Sequence, residues 1–211
     1  MKYIFLDFNG TVLNDVDLCL NLLNEMLTKN GKEALCLEEY KEVFTFPIIE
    51  YYKKAGFDFN GYTFEELAEY FVVEYKERNK TEAFIFDDFR DFIEVLRTRN
   101  YKIVLCSASQ THMLMEQLRY FKIDDLFDDV IGLDDHYAVS KLHLAKQYIE
   151  KIDIDLNASY FIGDTTHDAL VGNECGLNVI LINRGHQSYN VLKKEEKCIV
   201  DSFAEASKIL I

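Results

Sequence analysis

Three short apolar stretches of the sequence each lead into a polar side chain that can do chemistry. These side chains belong to Asp7, Ser107 and Asp164, which come after the stretches at residues 3–6, 101–106 and 159–162. Short apolar runs are typical of buried parallel strands, and the carboxyl ends of such strands meet at one edge of a sheet, where ligands bind. The sequence therefore predicts that the three side chains converge in one site.

The two carboxylates of this predicted site would repel each other, and a hard cation relieves that repulsion. Oxygen ligands in small number suit Mg²⁺, which keeps several waters and a substrate phosphate in its shell. Asp7 then has two possible roles. Its carboxylate can be a metal ligand only, or it can also attack phosphorus and form an aspartyl-phosphate.

Groups that can hold a phosphate lie further along the chain. The hydroxyl of Ser107 and the backbone amides of Ala108 and Ser109, if they lie at a helix N-terminus, would bind phosphate oxygens. Lys141 opens a predicted helix over residues 141–150 and could neutralise charge that develops during a reaction. Taken singly, the serine could be a helix cap and the lysine a solvated side chain, so it is the grouping that favours a site.

The elements that must position these residues follow an alternating pattern. Further apolar stretches at residues 178–182 and, more weakly, 129–132 are also predicted strands. Between the strands, apolar residues recur at helical spacing, for example at Phe89, Phe92, Ile93 and Leu96. This alternation predicts an α/β fold with a doubly wound, Rossmann-like parallel sheet and right-handed crossovers.

A long segment after the first strand departs from that alternation. Residues 15–82 contain no convincing strand, and two apolar stripes predict helices there. The stripes comprise Val16, Cys19, Leu20, Leu23, Met26 and Leu27, and then Phe64, Leu67, Ala68, Phe71, Val72 and Tyr75. We predict an α/β core of residues 1–14 and 83–211 and a small all-helical cap domain of residues 15–82, hinged over the sheet.

An aromatic and basic patch within that cap has two interpretations. It comprises Phe44, Phe46, Tyr51, Tyr52, Lys53 and Lys54. The aromatic rings could form the core of a small helical domain, or the patch could contact the leaving group of a substrate.

The overall composition excludes several classes of partner. The 23 Lys and Arg residues against 37 Asp and Glu residues give a net charge of −14, which repels polyanions, so we expect no nucleic-acid partner. Five widely spaced cysteines without a Cys-x-x-Cys motif predict reduced thiols rather than disulfides or a zinc site. No apolar run has the length of a signal peptide core or a membrane span, so we expect a cytoplasmic protein without a membrane partner.

The ordered motifs resemble those of the haloacid dehalogenase superfamily, and the chain is similar to its phosphoglycolate-phosphatase-like members with a helical cap. The matching residues are Asp7 through Thr11 for Asp-x-x-Gly-Thr, the strand-end Ser107, Lys141, and Gly163, Asp164 and Asp168 for Gly-Asp-x-x-x-Asp. One short motif alone would be weak support. Four in order, over nearly the whole chain, are specific.

The resemblance implies a Mg²⁺-dependent phosphatase that acts on a small phosphorylated metabolite. It implies that Asp7 attacks phosphorus and that Mg²⁺ is held by the carboxylates of Asp7 and Asp164 and by the backbone carbonyl of Asn9. Asp168 would support that shell through hydrogen bonds or water. The sequence makes no prediction of the oligomeric state.

The resemblance also assigns the residues around the phosphate. Thr11, Ser107 and Lys141 would steady the phosphate and the aspartyl intermediate. Cap closure would exclude bulk water and bring cap residues onto the leaving group. Related chemistries of the superfamily, such as phosphonate cleavage through an imine-forming lysine at Lys53 or Lys54, are disfavoured.

Asn9 departs from the pattern of the superfamily. Most of its phosphatases carry an aspartate two residues after the nucleophile, where it protonates the leaving oxygen and later activates water. An amide has no proton to exchange near neutral pH, so this contribution, about 10²- to 10⁴-fold, would be reduced or supplied differently. Replacing Asn9 by aspartate would accordingly raise turnover most for poor leaving groups.

Three interpretations of Asn9 stay open. The enzyme could act on substrates with acidic leaving groups, or recruit His167, His112 or water. The protein could instead be a phosphate-binding or regulatory module that kept the fold and lost turnover. Finally, the Asn9-Gly10 pair is prone to deamidation, which would place an aspartate at position 9 in a fraction of the molecules.

Overall fold

The computed structural model describes residues 1–133 and 140–210 and contains a central parallel sheet. The strands are β1 (Lys2–Leu6), β2 (Leu13–Asn14), β3 (Phe84–Ile85), β4 (Tyr101–Gln110), β5 (Asp129–Leu133), β6 (Tyr160–Gly163), β7 (Asn178–Ile182) and β8 (Cys198–Val200). Six of them form the sheet in the order β5-β4-β1-β6-β7-β8, with every neighbouring pair parallel. The predicted doubly wound α/β fold is confirmed.

Helices connect these strands and also fill the long segment after β2. They are α1 (Val16–Lys29), α2 (Leu37–Val43), α3 (Ile48–Ala55), α4 (Phe64–Glu82), α5 (Phe89–Thr98), α6 (Thr111–Tyr120), α7 (Lys141–Ile149), α8 (Thr166–Glu174), α9 (Tyr189–Leu192) and α10 (Phe203–Ile209). None of those in the described part of the chain combines the length and apolar character needed to span a bilayer.

Residues 3–6 of strand β1 form a continuous apolar and aromatic run, and their packing explains why. Ile4 and Leu6 point to one face of the sheet and pack in a cluster that includes Phe89 and Phe203, from α5 and α10. Phe5 points to the other face and packs in a second cluster with residues of α7 and α8. Successive side chains of a strand alternate between faces, and here helices cover both, so the buried residues 3–6 are all apolar or aromatic.

The strand register aligns the parts of β1, β4 and β6 that lead into the three predicted site segments. Leu6 pairs with Leu105 of β4 and with Ile162 of β6, so Asp7 leaves the sheet between those two strands. The backbone N–H of Asp7 still donates to the carbonyl of Ile162 at 2.9 Å, which anchors it as the ladder ends.

Strand β4 is longer than the sequence predicted. It continues to Gln110, with an irregular register between Cys106 and Gln110, and α6 begins only at Thr111. The expectation that residues 107–109 lie at a helix N-terminus is therefore wrong, because Gln110 still pairs with Leu133 of β5.

Residues 15–82 contain four helices and no strand in the structure, and they have their own apolar cluster, which includes Leu22, Tyr40 and Leu67. The short antiparallel ribbon of β2 and β3 lies where the chain enters and leaves this segment, and it pairs Leu13 with Ile85. The sequence did not predict this ribbon or β8. The division into core and cap stays a prediction, and its core range includes residues 134–139 and 211, which lie outside the described residues.

Candidate active site

Lys141 lies among the side chains that gather at the carboxyl ends of the sheet strands, in contact with Asp7 and Asp168. It is the first residue of α7, whose N-cap Ser140 accepts a hydrogen bond from the backbone of His143 at 3.3 Å. The buried ammonium of Lys141 donates to the carboxylate of Asp168 at 2.6 Å and to that of Asp7. Burial opposes a charge on the lysine, but the two carboxylates outweigh it and hold the pKa of Lys141 above its usual range.

Three carboxylates lie close to one another beside Lys141. Asp7, Asp164 and Asp168 offer oxygen atoms that all lie within 4.8 Å of one another. Burial raises the pKa of Asp7 to about 8 and that of Asp164 to about 6, and neighbouring carboxylates add to both shifts, so ionising all three groups beside one lysine is unfavourable without a further cation. A site made only of oxygen donors with uncompensated charge fits a hard divalent cation such as Mg²⁺.

The backbone around Asp164 is shaped to hold its carboxylate. A Cβ atom at Gly10 or Gly185 would fall 2.3 or 2.1 Å from Oδ2 of Asp164, so both positions require glycine. Oδ2 accepts from the backbone N–H of His186 at 2.7 Å, and Oδ1 accepts from the hydroxyl of Thr11 at 2.9 Å. These contacts fix the carboxylate at the end of β6.

Thr11 differs from its predicted role. Its side chain is fully buried, its hydroxyl is used by Asp164, and it is not among the described residues that line the adjacent cavity. The structure therefore places Thr11 as a support for a predicted metal ligand rather than as a contact of the phosphate.

Asp168 is held on both of its oxygens. Oδ1 accepts from Lys141, and Oδ2 accepts from the backbone N–H and the hydroxyl of Thr165, at 3.0 and 2.6 Å. Thr165 in turn caps α8, and the lysine and threonine contacts keep the pKa of Asp168 below its usual range despite burial. Asp168 thus orients Lys141, and Thr165 rather than Asp164 is the cap of the helix.

Ser107, Ala108 and Ser109 line the cavity in front of Asp7. The hydroxyl oxygen of Ser107 accepts from the backbone N–H of Ser109 at 3.1 Å, so that amide is already used, while the hydroxyl proton of Ser107 stays available. The hydroxyl of Ser109 donates to the side-chain oxygen of Asn9 at 3.3 Å.

Asn9 is held by two groups that, like Asn9 itself, line the cavity. Its side-chain nitrogen donates to the carboxylate of Asp15 at 2.7 Å and lies at the same distance from the hydroxyl oxygen of Tyr75. Because a carboxylate only accepts hydrogen bonds, it fixes the NH₂ group of the amide toward Asp15 and the carbonyl toward Ser109.

The carboxylate of Asp15 forms a buried pair that sequence reasoning missed. Its Oδ1 lies 3.2 Å from Nε2 of His186, whose Nδ1 lies 2.7 Å from the hydroxyl of Tyr40. Burial works against both charges, yet the pairing lowers the pKa of Asp15 and raises that of His186. The rule that identified Asp7 also applies to the loop after β7, where His186 lies, so the signal for this residue was present.

A cavity of about 540 Å³ opens in front of Asp7. Asp7, Lys141 and Asp168 lie among its lining residues, and the segment of residues 15–82 contributes aromatic and aliphatic side chains from α3, α4 and the residues before α3. The cavity is lined by all four rings of the aromatic patch, those of Phe44, Phe46, Tyr51 and Tyr52. Three of these residues, Phe44, Tyr51 and Tyr52, also belong to or pack against the apolar cluster of residues 15–82. Both interpretations of the aromatic patch therefore have support.

Of the other candidate residues, only His167 lies at this cavity. Its ring is 4.9 Å from that of Phe46, and burial lowers its pKa. His112, Lys53 and Lys54 are not among the described lining residues, and Lys53 is paired with Glu50 at 2.7 Å on the exposed face of α3. No cap lysine is therefore placed for imine chemistry.

Comparisons with known proteins agree with this geometry. The family model of haloacid dehalogenase-like hydrolases matches residues 3–182. A phosphoglycolate phosphatase of Haemophilus influenzae is 25% identical over 221 residues, covering 99% of this chain and 98% of that protein.

Solved structures share the fold over the whole chain. A haloacid dehalogenase-like family hydrolase from Streptococcus pneumoniae has a TM-score of 0.79 at 18% identity, covering 99% of this chain and 98% of that one. A protein described as a predicted phosphatase from Clostridium acetobutylicum has a TM-score of 0.79 at 22% identity, covering 99% and 97%. The family match spans most of the sequence, and the chain therefore belongs to the haloacid dehalogenase-like hydrolases.

Proposed function

We propose that the protein is a Mg²⁺-dependent phosphatase that hydrolyses a small phosphorylated metabolite through an aspartyl-phosphate at Asp7. The observation that carries the proposal is the position of Asp7, at the end of β1, with Lys141 on one carboxylate oxygen and the cavity in front. The relative named phosphoglycolate phosphatase supports the reaction class.

Asp7 is the nucleophile in this proposal. Among the hydrogen bonds of the described residues, its side chain accepts only from Lys141 at Oδ1, so Oδ2 is left for attack. The new bond joins Oδ2 to phosphorus as the bond from phosphorus to the leaving oxygen breaks. A water then attacks phosphorus, which releases inorganic phosphate and restores the carboxylate.

The surrounding residues steady the charge of the reacting phosphate. Lys141 and the hydroxyl of Ser107 contact phosphate oxygens as charge develops. The carboxylates of Asp7 and Asp164 and the backbone carbonyl of Asn9 hold Mg²⁺, which when bound neutralises phosphate charge. The helical segment of residues 15–82 acts as a cap that keeps bulk water from the cavity.

Proton transfer to the leaving oxygen is the weak part of this site. The amide of Asn9 has no proton to give, and its NH₂ group is engaged by the carboxylate of Asp15. A leaving group that is stable as an anion, or one that takes its proton from water, would then react fastest. This feature also favours a second candidate, a phosphate-binding protein with little turnover.

Phosphate release over a panel of phosphomonoesters, with Mg²⁺ or with EDTA, tests the proposal. The Asp7→Asn protein is the blank, because it keeps the shape of the side chain and removes the nucleophile. We expect release that requires both Mg²⁺ and Asp7. Binding of phosphate without release above the blank would establish the second candidate instead.

A further inference from the structure

Much of the cavity lining is apolar. The apolar stripe that the sequence predicted on α4 packs in part in the apolar cluster of residues 15–82 and in part lines the cavity, and Val72 on it is 51% exposed. Its lining members are Phe64, Ala68, Phe71, Val72 and Tyr75. An apolar stripe that stays partly open to solvent marks a surface that a ligand covers.

A second set of apolar residues also lines the cavity. It is formed by Phe44, Phe46, Ile48 and Tyr51 from the segment around α3, and by Met113 from α6. The ring of Phe44 lies 4.9 Å from that of Tyr51 and 5.7 Å from that of Phe46, so these side chains form a continuous aromatic surface. The volume of about 540 Å³ is within the range of pockets that bind small organic molecules.

Cations for a second anionic group of a substrate are lacking at the described part of this cavity. Among the described lining residues Lys141 is the only lysine and there is no arginine, and the Lys141 ammonium is already held by Asp7 and Asp168. Two histidines also line the cavity: both ring nitrogens of His186 are engaged, by Asp15 and Tyr40, and burial lowers the pKa of His167, which disfavours its charged form. A substrate carboxylate would therefore lose its hydration without gaining a free cationic partner among the described lining residues, which is costly.

We propose that the cavity selects phosphomonoesters whose leaving group is uncharged and apolar, aromatic or long-chain alkyl, over those that carry a second anionic group. The inference rests on the proposed phosphatase activity and names its substrate class. Within this class, aromatic esters should turn over fastest, because a phenolic leaving group needs little protonation and the amide of Asn9 has no proton to give.

The first test compares phenyl phosphate with 4-carboxyphenyl phosphate. Their leaving phenols have similar acidity, so the pair differs mainly in the charge at the far end. We expect kcat/KM to favour phenyl phosphate by about tenfold or more. In a second series, from propyl to hexyl phosphate, kcat/KM should rise about threefold for each added methylene group.

A matched pair of variants locates the selectivity. Val72 and Val73 are adjacent on α4 and are 51% and 53% exposed, but only Val72 is among the lining residues of the cavity. Val72→Lys should raise the ratio of 4-carboxyphenyl to phenyl phosphate turnover by about tenfold, and Val73→Lys should leave it unchanged. An equal effect of both variants, or no effect of either, would contradict the placement of the leaving group against α4.

Calorimetric binding to the Asp7→Asn protein separates this inference from the proposed function. It reports the preference between the two aryl phosphates whether or not the native enzyme turns them over. Equal or tighter binding of the carboxylated compound overturns the inference and leaves the phosphatase proposal standing. Absence of phosphate release with tighter binding of phenyl phosphate overturns only the activity.

Discussion

The side-chain nitrogen of Asn9 lies 2.7 Å from the carboxylate of Asp15. Two carboxylates at this distance cannot both be ionised without strong repulsion, so the amide at position 9 and the carboxylate at position 15 form a matched pair. The departure of Asn9 from the superfamily pattern therefore has a local physical cause. The effect expected of Asn9→Asp therefore also depends on the charge of residue 15.

Asn9→Asp alone should fail to raise turnover, because its new carboxylate faces that of Asp15. The double variant Asn9→Asp, Asp15→Asn reverses the polarity of the pair and frees the carboxyl group at position 9 for proton transfer. We expect kcat/KM for hexyl phosphate to rise up to about 10²-fold in the double variant. The gain for phenyl phosphate should be smaller, since its leaving group needs less protonation.

The Asp15→Asn protein is the control for that experiment. It loses the Asp15–His186 pair but keeps Asn9, so any further change in the double variant comes from the aspartate at position 9. A single Asn9→Asp variant as active on hexyl phosphate as the double one would contradict the coupling of the two positions.

Removing the Lys141 charge should destabilise the protein without Mg²⁺ and abolish most activity. Lys141→Met leaves Asp7 and Asp168 unpaired in a buried site, which costs about 3–5 kcal/mol in free energy of unfolding. Thermal unfolding in EDTA measures the loss, and added Mg²⁺ should restore part of it.

Lys146→Met is the matched control on the same helix. Lys146 forms an exposed pair with Glu174 at 2.8 Å, and such pairs contribute little to stability. Equal losses in the two variants would mean that the carboxylates do not depend on Lys141.

Local patterns in the sequence were enough to predict the framework of the site. Buried parallel strands are continuous apolar runs, so Asp7 and Asp164 could be placed at the same sheet edge, and β7 begins and ends where its apolar run does. Residues 107–110 could not be recognised as part of a strand, because their strand conformation depends on the pairing of Gln110 with Leu133 of a neighbouring strand.

Contacts between distant parts of the chain could not be predicted in this way. The Asp15–His186 pair joins residues 171 positions apart, so although His186 follows a predicted strand, its contact with Asp15 could not be predicted from local patterns. Likewise, the apolar stripe of α4 has the same spacing whether it faces a core or a cavity, so only the structure shows that Val72 borders open space.

The Asp15–His186 pair should make stability depend on pH. The raised pKa of His186 gives a stabilisation that is complete below the pKa of the unfolded state and is lost as pH rises through the folded one. The lowered pKa of Asp15 gives one that is lost as pH falls through its folded value. His186→Gln should therefore lower the free energy of unfolding more at pH 5.5 than at pH 9.

Urea unfolding in EDTA at the two pH values checks this, with His143→Gln as the control, since His143 is exposed. A destabilisation that is the same at both pH values would mean that His186 stays neutral in the folded protein.

The loop after β7 should hold the cap in its closed position. The buried side chain of Gln187 donates to the carbonyl of Phe44 at 2.9 Å and accepts from the backbone N–H of Thr166 at 2.7 Å, so one amide joins the end of α2 to the start of α8. Ser188 adds a backbone bond to the carbonyl of Lys41 at 3.1 Å. Gln187→Ala leaves the two buried backbone groups without this partner, which favours opening.

We expect hydrogen exchange at residues 40–46 to become faster in Gln187→Ala, while exchange in β1 and β6 is unchanged, because the Gln187 amide joins the cap to the loop and takes no part in the sheet. Asn190→Ala is the control: it removes an exposed hydrogen bond of 3.3 Å to Glu42 from the same surface. Since α2 also carries Tyr40, which contacts His186, opening here would admit water to the Asp15 pair. Slow exchange that persists in Gln187→Ala would mean that the aromatic packing of Phe44 against His186, at 4.9 Å, holds the cap without the hydrogen bonds.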